Sequence, residues 1–275
     1  MHPVTRRSLM SAIPALALSP LRAAEAATAL PLKLGVATYS LRKLSRPQAI
    51  DAVKQLGTPY VSIKEYHLPY KSTPEEWAQG RREFENAGLT TLSGGNNGIQ
   101  KDTDEDVRFF FDYAKACGMP MLVIAPTHQT LPRVEKFVKQ YDLRVAIHNH
   151  GPEDKHFPSP RSVLDAIKGM DPRVGLCIDV GHTVRTGADV VESIRQAGSR
   201  LFDMHVKDLK DLRDSKSQCA VGEGAIPFVT IFKQLIRMKY QGGVMLEYEI
   251  HADNPLPGML QSFAYMRGVL AGLRG

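Results

Sequence analysis

Residues 174–208 read VGLCIDVGHTVRTGADVVESIRQAGSRLFDMHVKD, and this stretch decides the fold. It opens on a short apolar run, Val174 to Gly181, and closes on another, Leu201 to Asp208, with sequence of helical length between them. Strand, helix and strand in that order make a parallel βαβ unit. Working outward, the unit repeats. Further runs lie at Lys33 to Ser40, Tyr60 to His67, Thr90 to Asn96, Met121 to Pro126, Arg144 to His150 and Gly243 to Glu249. Most begin 23 to 31 residues after the run before, and only the final interval is longer.

The connecting segments carry helix-start chemistry. Ser45-Arg46-Pro47, Thr73-Pro74-Glu75-Glu76 and Ser159-Pro160 set a capping hydroxyl before a proline, an acidic pair or both. Apolar residues then recur at helical spacing, as in Phe228, Ile231, Phe232, Leu235 and Ile236, and Gly88 and Gly118 stand where two helices should stop. Eight such units predict a closed (β/α)8 TIM barrel as a single domain over residues 33–275. A doubly wound open sheet requires a glycine-rich phosphate turn after its first strand, and Val36-Ala37-Thr38-Tyr39-Ser40-Leu41 has none. At 275 residues the length suits one barrel.

Composition narrows the function classes. The apolar share, 43%, is ordinary, and no internal segment has the apolar length of a membrane span. Paired arginines in Thr5-Arg6-Arg7-Ser8-Leu9-Met10 precede an apolar stretch to Leu21 and the small residues Ala23-Ala24-Glu25-Ala26-Ala27. That order predicts a Tat-type signal peptide over residues 1–27 and a periplasmic destination. A buried N-terminal helix fits less well, because Pro14 and Pro20 interrupt it. Cleavage after Ala27 removes Arg6, Arg7, Arg22 and Glu25, so the net charge falls from +6 to +4. The remaining Lys and Arg are scattered, which predicts no nucleic-acid partner. Cys117, Cys177 and Cys219 show no paired spacing and read as buried apolar residues. The pattern leaves an oligomer open.

Alternation along the late strands selects the inward-facing residues. Ile147, Ile178, Met204 with Val206, and Leu246 face the helices, so His148, Asp179, His205 with Lys207, and Glu247 face the barrel axis. Singly, each is an ordinary hydrogen-bonded barrel residue. Four ionisable groups at one level are costly to bury without a counter-charge. Two carboxylates and two neutral imidazoles suit Mn²⁺, Zn²⁺, Co²⁺ or Fe²⁺ rather than calcium.

These residues also carry a resemblance. Ile178-Asp179-Val180-Gly181-His182, Met204-His205-Val206-Lys207-Asp208, Gly222-Glu223-Gly224-Ala225-Ile226-Pro227-Phe228 and Gly242-Gly243-Val244-Met245-Leu246-Glu247 resemble the xylose isomerase-like TIM-barrel superfamily, in its sugar phosphate isomerase/epimerase branch. Tyr39-Ser40-Leu41-Arg42 and Ile63-Lys64-Glu65-Tyr66-His67 fit with less specificity. The resemblance implies that Asp179, His205 and Glu247 ligate a metal, and that His148 fills the fourth position, where epimerases of the family usually carry glutamate. In the two-glutamate epimerases both glutamates also exchange protons with the substrate, so His148 breaks that symmetry.

An ion chelated by a carbonyl and an adjacent hydroxyl acidifies the intervening C–H through an enediolate. Isomerisation, epimerisation and elimination share that intermediate. The expected function is therefore a metal-dependent isomerase, epimerase or lyase acting on a sugar, keto-sugar or polyol. Candidate bases are Lys64, His150, His182 and Glu247. Set against these roles are a salt bridge for Lys64, a supporting hydrogen bond for His182 and an orienting or loop position for His150. His67 reaches a sugar hydroxyl or lies exposed; Lys207 binds an anionic group or pairs with Asp208. Trp77 and Phe109-Phe110-Phe111 read as helix packing, the loop histidines His128, His156 and His251 receive no role, and Glu223 shapes the rim. One alternative is a barrel that binds a sugar or a partner subunit without turnover. Another is an AP endonuclease-like phosphodiesterase with three zincs, which the early strands disfavour: Thr38, Ser40, Ser62, Lys64 and Ser93-Gly94-Gly95 supply no histidine.

The export segment is tested by mass spectrometry of the mature N-terminus. A start after Ala27 is expected, and a chain still beginning at Met1 or His2 contradicts it.

Overall fold

The computed structural model describes residues 30–274, and the signal segment expected at residues 1–27 lies outside them. Eight parallel strands close a barrel in the order β1-β10-β7-β6-β5-β4-β3-β2. They are β1 (Lys33–Ala37), β2 (Tyr60–Ile63), β3 (Thr90–Ile99), β4 (Met121–Pro126), β5 (Arg144–His148), β6 (Val174–Asp179), β7 (Leu201–Val206) and β10 (Gly243–Leu246). The two short strands β8 (Asp208–Leu209) and β9 (Gln218–Cys219) form an antiparallel ribbon in the loop after β7.

Most expected strands end sooner at their C-terminal side, and the cause is chemical. Asp179 closes β6 because its carboxylate accepts the backbone N–H of His182, capping the helix Val180–Arg185. Thr38–Leu41 turn into a 3₁₀ helix, β2 stops at Ile63, β5 at His148, β7 at Val206 and β10 at Leu246. Only β3 runs longer, to Ile99, past a register shift that the Asn97 amide bridges to the carbonyls of Gly94 and Val123.

The helix starts lie where the capping residues put them. Ser45, Thr73 and Ser159 each form a capping box with the residue three positions on. Gly88 (φ +77°) and Gly118 (φ +64°) follow the helices Pro74–Asn86 and Asp104–Ala116 in the left-handed region that ends a helix. Trp77 packs edge-on against Phe109 and Tyr113, and Phe111 against Phe137 and Tyr141, so these aromatics join helices. All three cysteines are free and buried. Among the described residues, no helix is long and apolar enough to cross a membrane.

His67 departs from expectation. It neither lines the barrel mouth nor lies exposed. The short β2 turns away after Ile63, and His67 is left 1% exposed among the chain around Leu41, Leu44 and Arg46. Burial holds its pKa below the ordinary 6.5. The backbone of Leu41 and Leu44 lies against its ring and pulls the pKa up, but not enough to offset the burial. Below pH 6.5 the unfolded chain therefore binds a proton that the folded chain refuses. Stability falls as pH drops from about 6.5 and levels off below the folded value. Replacing His67 with Leu should flatten the urea-melt profile below pH 6.5, by up to about 1 kcal/mol per pH unit, down to the folded-state value. Parallel wild-type and variant curves contradict this origin.

Candidate metal centre

The neighbouring ends of β5, β6, β7 and β10 bring four side chains to one level. Asp179 pairs in register with His205, which pairs in turn with Met245, two residues before Glu247. Ligand atoms of His148, Asp179, His205 and Glu247 all lie within 4.8 Å of one another. His148 Nε2 is 3.1 Å from His205 Nδ1 and 3.5 Å from Asp179 Oδ2, and His205 Nδ1 is 3.3 Å from Glu247 Oε1. Ligands about 2.0–2.2 Å from a metal stand roughly 2.8–3.6 Å apart, from octahedral to tetrahedral geometry, so these separations fit one ion.

The unsatisfied atoms of the cluster fit it too. Asp179 Oδ2 is buried and accepts no hydrogen bond, although Lys207 Nζ stands 3.1 Å away. Burial opposes the charges of Asp179 and Glu247, yet the Lys207 ammonium holds both carboxyls well below their ordinary range. Burial and the neighbouring His150 push His148 well below its usual value, leaving a neutral imidazole. His205 goes the other way: burial opposes its charge, but the Glu247 carboxylate 3.3 Å from Nδ1 outweighs it, so without a cation this ring keeps a proton. Metal binding needs ionised carboxylates and neutral imidazoles, and a cation would displace that proton. Cys177 makes a second grouping with the same two histidines. Burial raises its thiol to about 12, so the carboxylate set is the better ligand group.

Lys207 corrects the reading of its role. Its ammonium lies 2.9 Å from Glu247 Oε2, 2.9 Å from Glu249 Oε2 and 3.1 Å from Asp179 Oδ2, and the residue is 3% exposed. It is thus a buried counter-ion, committed to three carboxylates, and neither free for an anionic substrate nor paired with Asp208. Gly181 makes room for it, because a Cβ there would come within 2.6 Å of Lys207 Cγ. Asp208 instead accepts the backbone N–H groups of Leu209, Gly222, Gly224 and Ile226. A Cβ on Gly224 would stand 2.2 Å from the Asp208 carboxylate, which explains the glycine. Glu223 accepts from Gln261 on the outside of this loop.

Above the quartet opens a pocket of about 270 Å³, lined by Tyr39, Lys64, Asn96, His148, His150, His182, Glu247 and Glu249. All four candidate bases face it. His150 is held at both nitrogens, Nε2 2.7 Å from the Asn96 amide and Nδ1 3.3 Å from Asp154. His182 Nδ1 lies 3.0 Å from the Arg185 guanidinium, and burial lowers this ring to about 4. Burial also lowers His150, so both imidazoles are neutral at pH 7. Lys64 reaches the pocket while pairing with Glu65 at 3.0 Å and with the Asn96 carbonyl. A larger cavity, about 490 Å³, lies at the N-terminal end of the strands near Arg144 and Gly242; no imidazole or carboxylate lines it.

Sequence reasoning gave no task to Glu249, Asn96, Tyr39 or Asn149. Glu249 was within reach, two positions beyond Glu247 and on the same alternating face. Asn149 ties two strand ends together, accepting from the Asp179 N–H and donating to Thr183 Oγ1.

The fold and this site together define a (β/α)8 barrel with a buried cluster of imidazoles and carboxylates at its mouth. The chain belongs to the xylose isomerase-like TIM barrel family, whose model matches residues 47–269. It is 27% identical over 137 residues to an inosose dehydratase of Bacillus velezensis, a match covering 44% of this chain and 45% of that protein. The chain spans about half the length of the curated relatives it matches. A crystal structure of an uncharacterised protein of Parabacteroides distasonis is similar at 26% identity, with a TM-score of 0.67 over 86% of this chain and 99% of that one. The zinc-bound IOLI protein matches with a TM-score of 0.72 at 16% identity, over 88% and 99% of the two chains, a likeness of fold.

Removing the Lys207 ammonium leaves the Asp179, Glu247 and Glu249 carboxylates uncompensated. Lys207→Met should lower metal-free stability by about 3–5 kcal/mol in urea melts, with much of the loss recovered in saturating Mn²⁺. A metal-free variant as stable as the wild type contradicts the counter-ion role.

Proposed function

We propose that the protein is a divalent-metal-dependent lyase that eliminates a β-substituent, such as water, from a keto-sugar or related polyol. The observation that carries this is the buried His148–Asp179–His205–Glu247 quartet flooring a small polar pocket. A divalent ion held by these four groups supplies polarisation of a carbonyl and its neighbouring hydroxyl, which acidifies the C–H between them.

The chain's own residues handle the protons. Glu247 has one oxygen toward His205 and the other fixed by Lys207, so its carboxylate is aimed rather than free to rotate. His150 and His182 stand at the β5 and β6 sector of the mouth, neutral and each pinned by a hydrogen bond. Lys64 and Asn96 close the pocket from β2 and β3. Epimerisation by two matched glutamates needs like groups on both faces of the substrate. Here one sector offers imidazoles and the other carboxylates, which suits elimination, where one group takes a proton and a different one protonates the leaving oxygen. The inosose dehydratase relatives support the same choice. Within this proposal, residues 1–27 direct the folded enzyme to the periplasm by the Tat route.

The test uses metal-loaded mature protein with inososes, keto-sugars and 3-keto-glycosides in D₂O. Elimination product is expected, with turnover lost on chelation and restored by Mn²⁺, Co²⁺ or Zn²⁺. Deuterium incorporation with every substituent retained would assign epimerisation or isomerisation instead. Turnover undiminished after complete metal removal rejects the proposal.

A further inference from the structure

Tyr66 is left over by this chemistry. Among the described residues its side chain is the most exposed large hydrophobic, at 49%, and it sits in the loop after β2, on the side of the barrel where the pocket opens. Scattered exposed apolar residues need no explanation. The surroundings of Tyr66 set it apart. Its ring packs against Tyr39, centroids 5.9 Å apart and planes inclined at 58°, and Tyr39 lines the pocket beside Lys64 and Glu249. The Arg42 guanidinium lies 4.6 Å over the Tyr39 ring and is itself fixed by the carbonyls of Tyr39 and Glu249. An anchored aromatic step thus leads from the pocket wall to the surface.

The pocket sets the scale. At about 270 Å³ it falls below the roughly 300–1,000 Å³ of sites for drug-sized ligands, so it takes a single ring. Tyr66 stands on the β1–β2 rim beside Tyr39, where a substituent leaving that ring on this side would meet it. We propose that Tyr66, backed by Tyr39, is a second subsite that stacks a second ring, joined through a glycosidic bond to the ring in the pocket. The substrate is then a keto-glycoside rather than a free sugar. Tyrosine suits this task, since its flat apolar face packs against a ring while the phenol remains wetted. The inference rests on the sugar-acting reading above.

The experiment measures calorimetric affinities of metal-loaded protein for 3-ketoglucose glycosides bearing methyl, phenyl or glucosyl groups, alongside product formation. The wild type should bind the phenyl or the glucosyl glycoside about threefold to tenfold more tightly than the methyl glycoside, as one added ring contact supplies. Whichever ring is favoured identifies the partner ring as aromatic or saturated. Tyr66→Ala should bring that ratio toward one, and Tyr66→Phe should keep it. Equal affinities in the wild type, an advantage that survives Tyr66→Ala, or no binding of any glycoside overturns the subsite. Discrimination without product leaves the subsite standing and rejects the lyase reading; product without discrimination does the reverse.

Discussion

Charge balance at the mouth of the barrel is the constraint on which the rest depends. Buried Asp179 and Glu247 and half-buried Glu249 face one ammonium, Lys207, and with the proton that His205 keeps the metal-free cluster carries one negative charge in excess. Buried carboxylates tolerate such an excess poorly unless a cation joins them. His148 and His205 stand against the same carboxylates with nitrogens 3.1 Å apart, at the spacing of ligands around one ion. A divalent cation would offset that excess, with Asp179 Oδ2, buried and without a hydrogen bond of its own, among the atoms that would hold it.

Several local features read as consequences. Gly181 lacks a side chain so that Lys207 can cross beneath it, and Asp179 both ends β6 and caps the following helix. The Asn149 side chain locks the end of β5 to that of β6, accepting from the Asp179 N–H and donating to Thr183, which holds His148 and Asp179 on adjoining strand ends. Such support gives a ligand set its preorganisation. The pocket above inherits the asymmetry, with imidazoles at one sector and carboxylates at another.

Much of this was legible in the sequence. The interval between apolar runs sets the barrel, and strict alternation places His148, Asp179, His205 and Glu247 on the inner face. The capping hydroxyls of Ser45, Thr73 and Ser159 mark helix starts because their chemistry is local. What depends on distant partners was not legible. Alternation turns Lys207 inward but does not say that three carboxylates from two other strands await it. Nor does it show where a strand stops, so the pattern allows His67 a sugar contact or an exposed position but not the buried one that the turn after Ile63 gives it. Asp208 stands next to Lys207 in sequence, yet its partners are backbone groups of the glycine loop.

A cobalt titration of the metal-free protein, followed by visible absorption, reads out whether the four side chains hold one ion. A saturable ligand-field spectrum distinct from that of aqueous cobalt is expected, reaching its limit at one equivalent and lost in Asp179→Asn. A spectrum no different from cobalt in buffer, or uptake that ignores the Asp179 substitution, would contradict a single-ion site there.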